Sequence, residues 1–299
     1  MKKIFRFRGW IQAGTALLTN ANLPGFLSGK IYTGPLKNAC VPGLNCYSCP
    51  GALGSCPIGA LQAVAGGQKH NLSFYVVGIL LLFGMLFGRL ICGFLCPFGW
   101  IQQLLNKIPG KKLRIPDKLD RRARLLKYGV LAIAVLALPA FLVDDFGLGA
   151  PYFCKWICPA GTLEGGIPLV LANESLRSSL GFLFWWKMGL LIATIVLSIL
   201  IYRPFCKYVC PLGAFYALLN RISLTRMELD RESCISCGKC VRACPMQVQV
   251  LKDINSSECI RCGKCAQECP TGAIDIRFGK VTLKGMDAQG SVLRTRQEG

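Results

Sequence analysis

The sequence predicts a mostly α-helical membrane protein. About four transmembrane helices should form two tandem two-helix repeats, followed by a small cysteine-rich α+β domain. Three observations lead there. Hydrophobic residues fill 53% of 299 positions and the mean hydropathy is +0.44, too apolar for an ordinary soluble chain. Three apolar runs approach the twenty or so residues that a helix needs to cross the hydrocarbon. A cysteine-bearing stretch also repeats, and eighteen cysteines fall mostly in short, regular spacings.

The elements follow in order. Residues 72–91, 125–143 and 181–202 are the three clear spans, the last interrupted by Lys187. A weaker segment, 11–27, carries Asn20, Asn22, Pro24 and Gly25 and makes a fourth. The basic start MKKIFRFRGW shows no clear cleavage site, so this segment is expected to stay attached. Trp185 and Trp186 suit an interfacial belt, with Lys187 snorkelling beside them. Residues 1–220 form the membrane domain, with repeats at about 1–110 and 120–220. A linker at 221–233, the cysteine-rich domain at 234–285 and a disordered tail at 286–299 complete the chain.

Charge sets the orientation. The net charge of +20 lies beside the apolar spans, which favours the positive-inside pattern over nucleic-acid binding. Residues 107–127 hold nine Lys and Arg against Asp117 and Asp120, so this loop, the N-terminus and the C-terminal domain should be cytoplasmic. The stretch with Asp144, Asp145, Glu164 and Glu174 should face outward, as should 30–70. The single histidine, His70, is too little for bis-histidine haem and reads as a loop residue.

The C-terminal cysteines run Cys234, Cys237, Cys240, Cys244-Pro245 and Cys259, Cys262, Cys265, Cys269-Pro270. Each run is C-x2-C-x2-C-x3-C-P, the ligand pattern of ferredoxins with two [4Fe–4S] clusters. Three thiolates on one loop reach one cubane, and the fourth reaches the other cluster. The expected sets are Cys234, Cys237, Cys240 with Cys269, and Cys259, Cys262, Cys265 with Cys244. Zinc has no use for this doubled pattern. A chain of such spacings suits a reducing setting rather than disulfides.

The membrane domain repeats RLICGFLCPFGWIQQLLNKI, from Arg89, as RPFCKYVCPLGAFYALLNRI, from Arg203. A shorter copy, CKWICPAG, holds Cys154 and Cys158. A degenerate one, CPIG, holds Cys56, with Cys46 and Cys49 upstream. Residues four apart share a helical face, so two facing pairs make a four-thiolate cage. Cys92, Cys96, Cys206 and Cys210 should hold an inner cluster. Cys154 and Cys158, with two of Cys46, Cys49 and Cys56, should hold an outer one; disulfides or free thiols are the alternative at the outer face. Cys40 and one N-terminal cysteine are left over. Arg89 and Arg203 either raise a cluster's potential or anchor the helices by snorkelling. Asp144 and Asp145 either accept protons or cap a loop, with capping favoured.

At these residues the chain resembles the membrane polyferredoxins of anaerobic respiration, which accompany periplasmic nitrate and nitrous-oxide reduction. The resemblance implies electron transfer between the quinone pool or cytoplasmic carriers and an extracytoplasmic partner. The chain departs from that pattern in its NCYSCPGALGSCPIGAL block and in the extra pair Cys154/Cys158. Both departures favour a second redox centre on the outer side.

The resulting expectation is a one-electron conduit in a prokaryotic cytoplasmic membrane. With the inside negative, export of an electron is downhill by about 2.3 kcal/mol per 100 mV. Lys239, Arg242, Lys252, Arg261 and Lys264 either dock an acidic ferredoxin or flavodoxin or are ordinary solvated charge. An extracytoplasmic redox partner or complex subunits would take the electron. Quinol oxidation, with protons handled by Asp144/Asp145 or Glu164, is one alternative. An accessory metal or thiol reductase working through the spare cysteines is another. No nucleotide fingerprint or catalytic residue set stands out. The remaining difficulty is distance, because the hydrocarbon is about 30 Å thick.

Overall fold

The structure is a computed structural model. It describes residue 5 and residues 7–67, 74–145, 148–279 and 281–282. His70 and the tail at 286–299 lie outside the described residues.

The N-terminal segment is two short helices, α1 (Arg8–Thr19) and α2 (Leu23–Ser28), rather than the single span expected over 11–27. The asparagines break it. Asn20 donates to Asn45 Oδ1 at 3.1 Å, and Asn22 donates to Pro50 O at 2.8 Å. These bonds turn the chain onto the cysteine block.

Helix α3 (Pro57–Gly66) follows that block, then α4 (Phe74–Phe87), α5 (Leu90–Phe94) and α6 (Pro97–Lys107). Within the described residues α4 covers 14 residues, a rise of about 21 Å; residues 72–73 of the span expected over 72–91 lie outside the described residues. Gly88, at φ +52°, ends it, because a left-handed residue cannot continue the helix. The longest helix, α7 (Asp117–Phe141), and α10 (Phe182–Leu200) are long and apolar enough to cross a membrane. Between them lie α8 (Gly161–Ala172), which is apolar but shorter, and α9 (Glu174–Ser178). Helices α11 (Pro204–Tyr208) and α12 (Pro211–Leu219) repeat the break-and-restart of α5 and α6.

The C-terminal unit begins inside the expected linker. Strand β1 (Thr225–Leu229) pairs antiparallel with β2 (Ile274–Phe278), with Met227 opposite Ile276. Helical turns α13 (Lys239–Ala243) and α14 (Lys264–Gln267) carry the two cysteine loops, and β3 (Val281–Thr282) closes the sheet. The unit is not tethered loosely. Met246, Val248 and Ile260 share one buried core with Leu80, Ile91, Phe98, Phe205 and Tyr216 of the helical part.

The outward faces of the long helices are apolar. Phe182, Trp185 and Ile192 on α10, and Ile133 and Phe141 on α7, are exposed. Exposed apolar residues of this size and number suit contact with lipid.

Candidate metal centres

None of the eighteen cysteines is paired in a disulfide. Among the described residues, no three Cys, His, Asp or Glu side chains converge as one metal ion requires. Twelve of the cysteines instead line three cavities in fours. A cluster holds its thiolates further apart than a single ion does, because several irons sit between them. This donor geometry therefore fits a cluster and disfavours zinc.

The C-terminal cysteines divide as the spacing implies. Cys234, Cys237, Cys240 and Cys269 line one cavity, and Cys244, Cys259, Cys262 and Cys265 line another. Both loops have the same backbone. The residue before the second cysteine, Ser236 or Arg261, has φ near +50° (52° and 50°), and Gly238 and Gly263 have φ 70° and 73°. This winding turns successive amides inward, as anion-binding nests do. Burial pushes the Cys259 thiol up to about 12. Binding iron must therefore displace its proton.

In the helical part each C-P-x-G is a helix start. Cys56, Cys96 and Cys210 are N-caps in extended conformation, each followed by Pro at the first position of α3, α6 or α12. Cys158 has the same backbone, with φ −70° and ψ 109°. The glycine N–H three residues on donates to the sulfur, at 3.4 Å for both Gly99 to Cys96 and Gly213 to Cys210. Gly59 and Gly161 face Cys56 and Cys158 likewise. The sulfur replaces the usual capping oxygen, and the positive helix end favours its thiolate.

Each half of the chain reaches into the other's site. Arg89 donates to Cys206 O at 3.4 Å, and Arg203 donates to Cys92 O. Both arginines are fully buried, which removes the snorkelling reading. The glycines at the helix starts leave them room. A Cβ on Gly99 would stand 3.2 Å from Arg203 Nη1, and one on Gly213 would stand 3.6 Å from Arg89 Nη2. Gln102 Nε2 donates to Cys206 Sγ at 3.1 Å, and Cys92, Cys96, Cys206 and Cys210 are all buried and near enough to act on one another electrostatically.

The outer cysteines resolve to four. Cys46, Cys56, Cys154 and Cys158 line a cavity of about 370 Å³. Cys49 turns away and bonds Asn20 Oδ1 at 3.6 Å. Gln62 Nε2 donates to Cys154 Sγ at 3.1 Å, matching Gln102 at the inner site. Glu164 Oε2 accepts the Cys46 N–H at 2.7 Å. Burial pushes the Glu164 carboxyl up to about 7, against the pull of that bond. Lys187, expected to snorkel, instead donates to Cys154 O at 3.2 Å beside this cavity. Asn45 Nδ2 also borders the cavity, is buried and has no protein partner, as a donor facing a cluster would be. Asp144 accepts the Leu148 N–H at 2.8 Å and closes a turn, as the capping reading expects.

Of the residues six positions after each C-P-x-G cysteine, sequence reasoning singled out only Glu164, and that only as a proton carrier. The four residues are Gln62, Gln102, Glu164 and Tyr216. All are polar and face another part of the cysteine framework, and aligning the four copies of the motif would have exposed them. A second miss is Glu258. It pairs with Arg89 at 2.7 Å and with Lys127 at 2.6 Å across the boundary between the C-terminal unit and the helices. Burial alone would raise its carboxyl, but these two cations hold it down at about 2.

Of the expected docking surface, Lys239, Arg242, Lys252 and Lys264 are exposed, and Arg242 donates to Cys237 O at 3.3 Å. Arg261 is not. It is buried and donates to Phe87 O, Asn220 O and Ser223 Oγ, each at 2.7 Å.

Comparison with known proteins agrees with this chemistry. A 4Fe-4S binding domain model matches residues 70–116, 128–167 and 183–229, and a 4Fe-4S dicluster domain model matches 226–270. An uncharacterized protein of Methanocaldococcus jannaschii is 30% identical over 60% of this chain and 60% of its own length. The putative electron transport protein YccM of Escherichia coli is 28% identical over 61% of this chain and 48% of its own. The chain thus spans about half to two thirds of these two relatives. The methylamine utilization ferredoxin-type protein MauN of Paracoccus denitrificans is 31% identical over 80% of this chain and 78% of its own. No solved structure matches. Cysteine sets that fit [4Fe–4S] clusters, two matching cluster-binding models and 31% identity to MauN over 80% of this chain lead to one conclusion: the chain belongs to the polyferredoxin family of ferredoxin-type [4Fe–4S] proteins.

Proposed function

We propose that this protein carries single electrons across a cell membrane, between a cytoplasmic carrier and an extracytoplasmic redox partner, through four [4Fe–4S] clusters. The proposed ligand sets are Cys234, Cys237, Cys240, Cys269; Cys244, Cys259, Cys262, Cys265; Cys92, Cys96, Cys206, Cys210; and Cys46, Cys56, Cys154, Cys158. The observation that carries this reading is that twelve cysteines line three cavities in fours, while Cys92, Cys96, Cys206 and Cys210 lie buried and near one another.

The groups follow one another through the molecule. The exposed Cys237 and the basic residues around it offer a docking face for an acidic carrier. The second set packs against the inner one, where a Cβ on Gly93 would meet Ile260 O at 2.3 Å. Two long apolar helices and their exposed apolar faces support a place in the membrane. The basic loop at 107–127 supports a cytoplasmic side for the C-terminal unit.

Iron analysis of anaerobically purified protein tests the cluster number. About sixteen irons per chain are expected from four cubanes. About eight would leave only the C-terminal pair and overturn the membrane part of the reading.

A further inference from the structure

We infer that the segment Gly43-Leu44-Asn45-Cys46 is the electron bridge between the inner and outer clusters, so that the two centres lie side by side inside the membrane domain rather than at opposite faces. The inference rests on the function proposed above and answers its hardest requirement, the thickness of the hydrocarbon.

One end of the segment touches the inner site. A Cβ on Gly43 would stand 3.0 Å from Cys96 Cα and 3.1 Å from Pro97 Cδ, so the backbones are in contact. The Leu44 N–H faces the Cys96 sulfur. The other end is itself a proposed outer ligand. A Cβ on Gly165 would meet Cys46 Sγ at 3.4 Å, within the outer cavity. Leu44 lines that cavity too. One residue therefore borders both sites. Two residues of chain span at most ~7 Å from Leu44 to Cys46, far less than the ~30 Å of hydrocarbon.

The segment is held in place. Gly43, Leu44 and Asn45 are buried. Tyr216, itself fully buried, donates its hydroxyl to Pro42 O at 3.0 Å. Asn45 Oδ1 accepts from Asn20, and Cys46 N–H is fixed by Glu164. Transfer along this route oxidises one cluster by one electron and reduces the other by one. No bond forms or breaks, and no proton is required.

The test is electron paramagnetic resonance of the anaerobic full-length protein, poised at stepwise potentials. The inner-cluster signal should broaden as the outer cluster becomes reduced. In Cys56→Ala, which lacks an outer ligand, it should stay narrow at every potential. Gly43→Ala pushes the segment away from Cys96, and Tyr216→Phe releases Pro42. Each should slow electron equilibration between the two clusters severalfold with iron content unchanged. About sixteen irons without mutual broadening would overturn the bridge and leave the proposed function standing. About eight irons would overturn the reading beneath it.

Discussion

Gln62 donates its side-chain amide to the Cys154 sulfur at 3.1 Å. The same contact, at the same distance, joins Gln102 to Cys206 at the other membrane site. Each glutamine lies six residues after the cysteine that starts its own helix. Each bonds a cysteine from the other half of the chain.

A donor to a cluster thiolate favours the reduced, more negative state. Replacing Gln102 by Leu should therefore lower the midpoint potential of the inner cluster, and Gln62→Leu that of the outer. A differential loss of about 1 kcal/mol corresponds to ~40 mV for one electron. Redox titration followed by paramagnetic resonance reads each shift separately. No shift in either variant would remove these amides from the tuning of the clusters.

Glu258 joins the C-terminal unit to the helices by balancing Arg89 and Lys127. Glu258→Gln leaves two buried cations without a counter-charge, a change that costs about 3–5 kcal/mol at such sites. The expected outcome is a markedly lower unfolding midpoint. Adding Lys127→Met should restore part of it, because one uncompensated charge is then gone. A neutral single variant would contradict the buried pairing.

Gly93 is a close approach between the inner site and the second cysteine loop, since a Cβ there would stand 2.3 Å from Ile260 O. Backbone on both sides leaves no flexible group to yield. Gly93→Ala should force the loop away from the inner site and slow electron transfer between them. Gly78→Ala, where no heavy atom lies within 4 Å, is the control and should change nothing. Stopped-flow reduction through the C-terminal unit measures both.

The four sets predict which cysteines iron needs. Cys49→Ser should retain the full iron content, because that thiol bonds Asn20 outside the outer cavity. Cys46→Ser should damage only the outer cluster and bring the count down by about four irons. Equal losses in the two variants would mean that the outer set has been drawn wrongly.

The ferredoxin pairing was legible because its spacing is a local rule, and the crossed fourth cysteine follows from one proline. The inner set was legible from the long repeat. The outer set was only half legible, since Cys46 and Cys49 are equivalent by spacing and separate only once Asn20 folds back to Cys49. Arg89, Arg203 and Lys187 misled for one shared reason. A basic residue at the end of an apolar run reads as a snorkelling anchor, and nothing local reveals a carbonyl waiting for it on another helix. Arg261 misled similarly, because its three acceptors lie far away along the chain. The first span failed on tertiary grounds, where asparagines found partners in the cysteine block instead of continuing a helix. The nearness of the two membrane sites depends on Gly43 meeting Cys96, a contact no periodicity encodes.

The most direct test of the whole account uses the holoprotein in sealed anaerobic vesicles with the C-terminal unit facing out. A reduced, membrane-impermeant donor is added outside and a redox dye is trapped inside. The account predicts that the trapped dye is reduced in step with oxidation of the donor, and that Cys92→Ser/Cys96→Ser vesicles leave it oxidised. Fully iron-loaded protein that takes electrons from the donor yet never reduces the trapped dye would contradict it.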